Sequence, residues 1–210
     1  MSSSDLAAGI RELLRVAERE QARLDQLDAI AGDGDHGATI VMGLRAVVAG
    51  LPADPDVPAA ALLRLAAERF ASVGGSTGPL WGTALLRAAQ SLERSRGTDL
   101  AALACAAEAA AAGIAMRGRC EEGDRTLLDA MAPAARALRN AAEEGVTAAE
   151  AAERARAAAA EGVARTRELT PRRGRARRFG DRSLGHDDPG AASALLAWEV
   201  AAQLAPSAPS

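Results

Sequence analysis

The sequence predicts an all-α protein, an eight-helix antiparallel up-and-down barrel. Apolar residues make up 49% of the 210 residues, yet aromatic residues make up only 2% and tyrosine is absent. A core of Ala, Leu and Val favours close-packed helices over a sheet rich in β-branched and aromatic residues. Apolar residues also recur at intervals of three and four, the spacing of one helix face, and no segment alternates convincingly like a strand. The length predicts a single domain over 1–210, with 205–210 a frayed tail.

Capping residues, glycines and prolines set the bounds of the predicted helices. Ser4 and Asp5 are expected to cap the first helix, Thr98 and Asp99 the fifth, and Thr147 the seventh. Pro79 suits the first turn of the fourth helix. A connector at 51–58 contains three prolines, which interrupt both helices and strands. The eight helices are predicted over 5–27, 38–50, 58–73, 79–92, 99–115, 126–140, 148–168 and 190–204.

The loops between these helices alternate in character. Those after helices one, three, five and seven are rich in Gly, Asp, Ser, Thr or Arg, whereas those after helices two, four and six are plain. In an up-and-down bundle, every second connection lies at the same end. The residues capable of chemistry are therefore predicted to gather in loops at one end of the barrel.

The first of these loops is acidic. Asp28, Asp33, Asp35 and His36 fall within nine residues that also contain two glycines, which weaken both helix and strand. Carboxylates at this density suit Mg²⁺, Mn²⁺ or Ca²⁺ better than zinc. A calcium-binding EF-hand is excluded, because the twelfth position counted from Asp28 or Asp33 is not a glutamate. The alternative is a solvated acidic loop that holds no metal.

The other three polar loops offer groups that bind phosphate. The segment 74–78, Gly-Gly-Ser-Thr-Gly, opens a helix and has the free N–H groups and hydroxyls of a phosphate cradle, although the same residues are common in turns. The segment 123–126 is either a third contact or only a helix cap. The last loop, 174–190, is rich in arginine and is either a ligand contact, a lid or a solvated loop. A Ser-His-Asp catalytic set is conceivable, but no nucleophile-elbow motif supports it.

Composition excludes several classes of function. A net charge of −3 argues against a nucleic-acid partner. The chain contains no lysine, which excludes a Walker-type phosphate loop and Schiff-base chemistry, so phosphate must be met by metal, backbone N–H groups or arginine. Cys105 and Cys120 are predicted to be reduced. No apolar run reaches the roughly 18 residues of a membrane span and no leader pattern is present, so a cytoplasmic protein with no membrane partner is predicted.

Four motifs together resemble one known family. They are Asp28-x4-Asp-Gly-Asp-His-Gly37, Gly74-Gly-Ser-Thr-Gly-Pro-Leu80 with Gly-Thr at 82–83, Gly123-Asp-Arg-Thr126 with Asp129, and the segment 174–190 ending in His-x-Asp-Pro-Gly. In this order, and over almost the whole chain, they resemble the nucleotide-binding L subunit of dihydroxyacetone kinase. The resemblance implies an eight-helix barrel that holds ADP or ATP and two Mg²⁺ ions in the loops at one end.

The resemblance also assigns roles to individual residues. It implies that Asp28, Asp33 and Asp35 bind the metal ions, that Arg175 stabilises charge, and that no residue of this chain acts as a general base. The implied nucleotide contacts are His36, Gly37, Ala38, Thr39, Ser76, Thr77, Gly118, Thr126, Arg175, Asp188, Pro189 and Gly190.

The implied activity needs a partner. In the family, a separate K subunit binds dihydroxyacetone and the L subunit delivers the γ-phosphate. In phosphotransferase-dependent members, a phosphocarrier M subunit rephosphorylates the bound ADP. The resemblance favours this phosphotransferase-dependent form for the present chain. Thr39, Arg125 and 178–179 differ from the residues common in the family, with Arg125 standing where lysine is usual, and these differences leave the phosphate donor open. A related ketose such as erythrulose is an alternative substrate. The other interpretations are an ATP-dependent kinase component with exchanging nucleotide, a Mg-dependent phosphohydrolase, and a nucleotide-loaded binding module that transfers no phosphate.

Overall fold

The computed structural model describes residues 2–95, 97–174 and 176–206. These residues contain eight α helices, two 3-10 helices and no strand, which confirms the predicted all-α class. The α helices are α1 (Ser3–Ala29), α2 (His36–Gly50), α3 (Ala59–Ala71), α4 (Thr77–Ser95), α5 (Leu100–Gly118), α6 (Leu128–Glu144), α7 (Ala148–Arg165) and α8 (Pro189–Leu204).

Two of the predicted caps are confirmed and one is displaced. Asp99 and Thr147 cap α5 and α7 through their side chains. The α1 cap, however, is Ser2 and not Ser4 or Asp5. The Ser2 hydroxyl accepts the Asp5 N–H at 3.1 Å while the Asp5 carboxylate accepts the Ser2 N–H at 2.8 Å, a reciprocal capping box that Ser4 has no partner to form.

Several helix bounds differ from those predicted. Helix α2 begins at His36, two residues early, and α4 begins at Thr77, so Pro79 is its third residue. Helix α6 runs to Glu144 with Pro133 inside it. A 3-10 turn follows α7, and a 3-10 segment at Ala176–Ser183 occupies the loop predicted to be irregular. Of the predicted frayed tail, 207–210 lies outside the described residues.

The helices follow one another around a ring. Each contacts the next in the chain, and α8 contacts α1, an arrangement consistent with the predicted closed barrel. The core is built mostly from alanine and leucine, as in the cluster around Ile114, and small residues allow the helices to approach closely. At Gly162 of α7 a Cβ atom would lie only 2.0 Å from the Asp129 carbonyl oxygen of α6. Pro133 lacks the N–H that would donate to that oxygen in a regular helix. Gly162 therefore packs against α6 at the point where one hydrogen bond of that helix is missing.

Helix α5 corrects the prediction that no stretch reaches membrane-spanning length. With 19 residues and a mean hydropathy of 1.5, it is the one helix among the described residues long and apolar enough to cross a membrane. Its buried residues, including Ala104 and Ile114, belong to the main core cluster, and α4 and α6 pack against it. These contacts are those of a core helix.

Candidate functional site

The polar loops after α1, α3, α5 and α7 meet around a single cleft. It holds about 850 Å³ of empty space including its open mouth. The gathering of alternate loops at one end is therefore observed. The predicted site residues that line the cleft are Asp28, His36, Ser76, Thr77, Thr126, Asp188, Pro189 and Gly190.

The first loop folds around the Asp28 carboxylate. Asp28 is buried at the end of α1, and its Oδ2 accepts the backbone N–H groups of Gly34 at 2.8 Å and Asp35 at 3.2 Å. Gly32 passes so close that a Cβ atom there would lie 2.3 Å from Asp28 Oδ1. The glycines predicted to open this loop thus have two uses: Gly32 admits the carboxylate, and Gly34 adopts a positive φ of 76°.

This fold brings three carboxylates together. One oxygen each from Asp28, Asp33 and Asp35 lies within 4.8 Å of the others, with Asp28 buried and the other two exposed. Opposite ligands of Mg²⁺ stand roughly 4.2 Å apart, so the spread is close to what a small, hard cation requires. The donor set is all oxygen and exposed on one side. It fits a divalent cation that also binds an anion from the cleft.

His36 connects three helices. It is buried, with Nε2 lying 2.9 Å from Ser193 Oγ of α8 and Nδ1 lying 3.4 Å from Thr77 Oγ1 of α4. The imidazole therefore forms part of the cleft wall. Because hydroxyl groups of the protein already contact both ring nitrogens, the predicted contact of His36 with a ligand would be made by the edge of the ring that faces the cleft or by the backbone.

The next three predicted contacts lie outside the cleft lining. Gly37 packs against α1, where a Cβ atom would lie 2.3 Å from the Gln21 carbonyl oxygen, and the Asp25 carboxylate accepts the Ala38 N–H at 3.1 Å. Gly37, Ala38 and the following Thr39 lie in the first turn of α2. Their observed role is to fix the start of α2 against α1 beside the carboxylates.

The second loop places a helix N-terminus at the cleft. Ser76 is exposed and Thr77, the first residue of α4, is buried; both line the cleft. Gly78 lies against the end of α3, where a Cβ atom would be 2.1 Å from the Val73 carbonyl oxygen. The positive end of the α4 dipole and its first N–H groups are thereby fixed near the acidic loop, as an anion site requires.

The third loop is shaped by Asp129. Its carboxylate accepts the N–H groups of Gly123 at 2.6 Å and Thr126 at 2.7 Å, and burial raises its pKa. Thr126 lines the cleft, but Gly118 does not; it ends α5, where a Cβ atom would lie 3.0 Å from Cys120 Sγ.

Asp188 caps α8 beneath the cleft. The side chain accepts the Ala191 N–H at 2.8 Å, and its own N–H donates to Thr166 Oγ1 at 2.9 Å. Burial raises the pKa of Asp188 to about 7, against a lowering effect of the Arg125 guanidinium. A carboxyl group with such a pKa is sensitive to any cation or anion that enters the cleft.

Sequence reasoning missed two components of the cleft. One is an apolar wall that includes Leu27, Ile30, Leu80, Trp81 and Leu127. Its residues recur at the spacing of ordinary core residues, so only the positions of the helix ends in the structure show that they line the cleft. The other is Arg125, noticed in the sequence only as a conservative difference from lysine. Arg175, predicted to stabilise charge and contact nucleotide, lies outside the described residues.

An all-helical fold with a three-carboxylate cluster and a helix N-terminus at one cleft defines a class of protein suited to metal-assisted binding of phosphate. The DAK2 domain family matches residues 30–203. The chain therefore belongs to the DAK2 domain family, which confirms the predicted resemblance.

Individual relatives agree with this assignment. The chain is 35% identical over 184 residues to the ADP-binding subunit DhaL of a PEP-dependent dihydroxyacetone kinase of Escherichia coli, a match covering 87% of this chain and 88% of the relative. It is 36% identical over 192 residues to an L-erythrulose 1-kinase of Mycolicibacterium smegmatis, covering 90% of this chain but only 33% of that enzyme.

A solved structure shares the fold. The dihydroxyacetone kinase from C. freundii in complex with AMP-PNP and Mg²⁺ superimposes with a TM-score of 0.72 at 27% identity, covering 94% of this chain and 33% of that one. The chain thus spans almost the whole of the DhaL subunit but about a third of the two larger kinases.

Proposed function

We propose that this chain is the nucleotide-binding component of a small-ketose kinase, holding ADP or ATP with two Mg²⁺ ions and passing the γ-phosphate to a ketose bound on a separate K-type subunit. The observation that carries the proposal is the shared cleft: Asp28, Asp33 and Asp35 converge within 4.8 Å at its edge, and the N-terminus of α4 lines the same space. Two sources of positive charge, the metal ions and the N-terminus of α4, suit a di- or triphosphate.

The three aspartates would hold the metal ions. Mg²⁺ held by these residues would supply positive charge against the phosphate groups. Asp28 is pre-positioned by the Gly34 and Asp35 N–H groups, which keep its carboxylate aimed without a metal. Asp33 and Asp35 are exposed beside it and bring one oxygen each to the cluster. No general base is assigned, since phosphoryl transfer depends mainly on positioning and charge neutralisation.

The remaining lining residues would hold the nucleotide. Ser76 and Thr77 offer hydroxyls and N–H groups to phosphate, Thr126 offers a hydroxyl, and the 188–190 turn also lines the cleft. The apolar wall around Trp81 supplies a surface for a purine base. The assignment of Arg175 to the developing charge depends on the sequence motif alone.

The relatives support a separate acceptor subunit. The DhaL relatives, which this chain spans almost entirely, are named as ADP-binding subunits of PEP-dependent kinases. A PEP-dependent system with a phosphocarrier M subunit is the donor we favour on this basis. The L-erythrulose 1-kinase match favours a second candidate, an ATP-dependent kinase of another small ketose.

The nucleotide content of the purified protein tests the proposal. The protein is denatured and the supernatant is analysed by ion-exchange chromatography. Near-stoichiometric ADP that survives purification supports a captive cofactor and the phosphotransferase-dependent donor. An empty protein that binds ATP only with added Mg²⁺ supports the second candidate. No nucleotide binding under any metal condition contradicts both, and ATP turnover without a partner favours a phosphohydrolase.

A further inference from the structure

A buried arginine outside the predicted site joins two of its walls. Arg125 is only 3% exposed, lines the cleft, and lies in the turn between α5 and α6 with a positive φ of 61°. We propose that Arg125 is a positioning residue that fastens the segment 183–188 against the nucleotide cleft and so slows release of the bound nucleotide. This inference rests on the proposed function, because it names a further determinant of the same site.

The contacts of the guanidinium are specific to arginine. Nη1 donates to the Ser183 hydroxyl, and Nη2 donates to the carbonyl oxygens of Ser183 at 2.7 Å and His186 at 2.7 Å. One side chain thus binds three acceptors on a segment 58 to 61 residues away. A planar fork of donors can reach all three together, whereas the point charge of a lysine on its flexible stem cannot reproduce this geometry.

The turn that carries Arg125 is itself held in place. Asp129 accepts the N–H groups on either side, from Gly123 and Thr126. A positive φ is unfavourable for a residue with a Cβ atom, so such a conformation persists where surrounding contacts impose it. The neighbouring Asp124 holds the start of the last loop, accepting the Arg172 N–H at 3.1 Å and pairing with Arg173 at 3.2 Å.

Between these two attachments the loop is weakly held. Among the described residues of 176–182, no hydrogen bond or ion pair reaches another part of the chain, and every arginine there is exposed. The other attachments near the end of the segment are Gly185 N–H to the Arg167 carbonyl at 2.8 Å, the Arg167–Asp187 ion pair, and the buried hydrogen bond from Asp188 N–H to Thr166 Oγ1 at 2.9 Å. Of the residues that hold this segment from elsewhere in the chain, Arg125 is the one that lines the cleft.

Arg125 also retains an unused donor. Its Nε is buried and has no hydrogen-bond partner in the described structure. A buried donor without a partner is costly, so an acceptor oxygen on the occupant of the cleft would find a donor already desolvated. Occupancy of the cleft and attachment of the segment would then strengthen each other through one side chain.

The test compares R125Q, R125K and S183A with the unmodified protein, and uses R64Q as the matched control. Arg64 forms a two-pronged pair with Glu93 on the exposed surface of α3 and α4, so its loss removes an arginine pair without touching the cleft. Release of a fluorescent ADP analogue with Mg²⁺ is measured by stopped flow. Limited trypsin digestion with mass spectrometry reports cleavage after Arg177, Arg178 and Arg182.

We expect R125Q to release nucleotide roughly tenfold faster or more, because it loses charge-assisted hydrogen bonds, while association changes little. R125K and S183A should be intermediate, and R64Q should match the unmodified protein. Cleavage within 177–182 in the nucleotide-free protein should accelerate in the same order, a readout that a general loss of stability would not confine to this segment.

Release rates and cleavage patterns unchanged in all three cleft variants would overturn the inference. If R125Q does not fold, S183A decides, because it removes one acceptor and leaves Arg125 in place. If the unmodified protein binds no ADP, the proposed function fails; faster cleavage at 177–182 in R125Q and S183A would still support the fastening role, and its absence would overturn that too.

Discussion

Asp33 and Asp35 differ from Asp28 in what their carboxylates do for the protein. Asp28 organises the loop through backbone hydrogen bonds, whereas the other two are exposed beside it. We expect Asp33→Asn and Asp35→Asn each to weaken Mg²⁺-dependent ADP binding tenfold or more, with unfolding free energy changed by about 1 kcal/mol at most. Calorimetric titration with ADP and Mg²⁺ measures the first effect and urea denaturation the second. Undiminished ADP affinity in both variants would refute the metal assignment.

Asp188 makes stability depend on pH. Its pKa is about 7 in the folded protein and near 3.8 when exposed, so the stability it contributes is fully present below pH 3.8 and is lost as pH rises through 7. Asp188→Asn keeps a good helix cap and removes the titration. Relative to the unmodified protein, the variant should gain stability between pH 4 and pH 8, by up to roughly 4 kcal/mol.

Urea denaturation across this pH range, without nucleotide and with EDTA, measures the difference. Glu199 also has a raised pKa, but it titrates in both proteins and cancels. Asp129 contributes to the raised pKa of Asp188, so the change in its own titration is part of the difference measured. The same pH slope in the variant and the unmodified protein would contradict the role assigned to Asp188.

The sequence identified some site residues better than others for a physical reason. The three aspartates of the cluster lie within eight residues of one another in the chain, so the sequence itself shows that their carboxylates are close together. The Arg125 contacts span 58 residues and depend on how α7 and α8 pack, and no local pattern carries that information. Gly37 was predicted as a ligand contact, yet its close approach to Gln21 explains why a glycine stands there without a ligand.

At the level of elements, helix ends were predictable where the candidate caps were confined to one or two adjacent positions. Thr147 had no nearby competitor at α7, and the two candidates at α5, Thr98 and Asp99, are adjacent, so the start of that helix was narrowly defined. At the start of α1, Ser2 and Ser4 are both suitable, and the choice depended on Asp5 standing three residues after Ser2. The 3-10 segment Ala176–Ser183 was missed, because its position is set by long-range contacts such as those of Arg125.

The junction of α6 and α7 provides a stability test. A Cβ atom at Gly162 would clash with the Asp129 carbonyl oxygen, so Gly162→Ala should force the helices apart and destabilise the protein by about 2 kcal/mol or more. Gly9→Ala is the matched control. Its Cβ atom would lie 3.6 Å from Leu204, an ordinary contact, and the better helix propensity should stabilise by about 0.5–1 kcal/mol.

Both variants are compared by urea denaturation monitored by helical circular dichroism. Stabilisation by Gly162→Ala would show that α6 and α7 are not packed as closely as described. Destabilisation by Gly9→Ala would show that the helix-interior position does not tolerate a methyl group.

At the scale of the whole molecule, the arrangement of loops was more predictable than the details of any one of them. The assignment of alternate loops to one end needed only the number of helices and short connections, and the cleft lined by four loops agrees with it. The shape of the cleft was not predictable, because it depends on apolar residues such as Trp81 whose spacing is that of ordinary core. The single domain over 1–210 stays a prediction.

Binding at that end should stabilise the whole fold. ADP with Mg²⁺ at about 100 times its Kd adds roughly 2.7 kcal/mol to the free energy of unfolding, which for a protein of this size raises Tm by about 5–10 °C. Thermal unfolding of the nucleotide-stripped protein measures the shift. Excess EDTA should abolish most of it, since the carboxylate cluster alone repels phosphate. A shift that persists in EDTA would contradict the need for metal.

The closure of the ring between α1 and α8 has a consequence for how such a unit combines with others. Gly9, near the start of α1, lies beside Leu204 at the end of α8, whereas Asp28 and Asp188, at the opposite ends of those helices, belong to the cleft. The two ends of the ring are therefore neighbours, one helix length away from the site. A polypeptide joined to either end would be attached away from the cleft, so this architecture is suited equally to a free subunit and to one part of a longer, covalently linked protein.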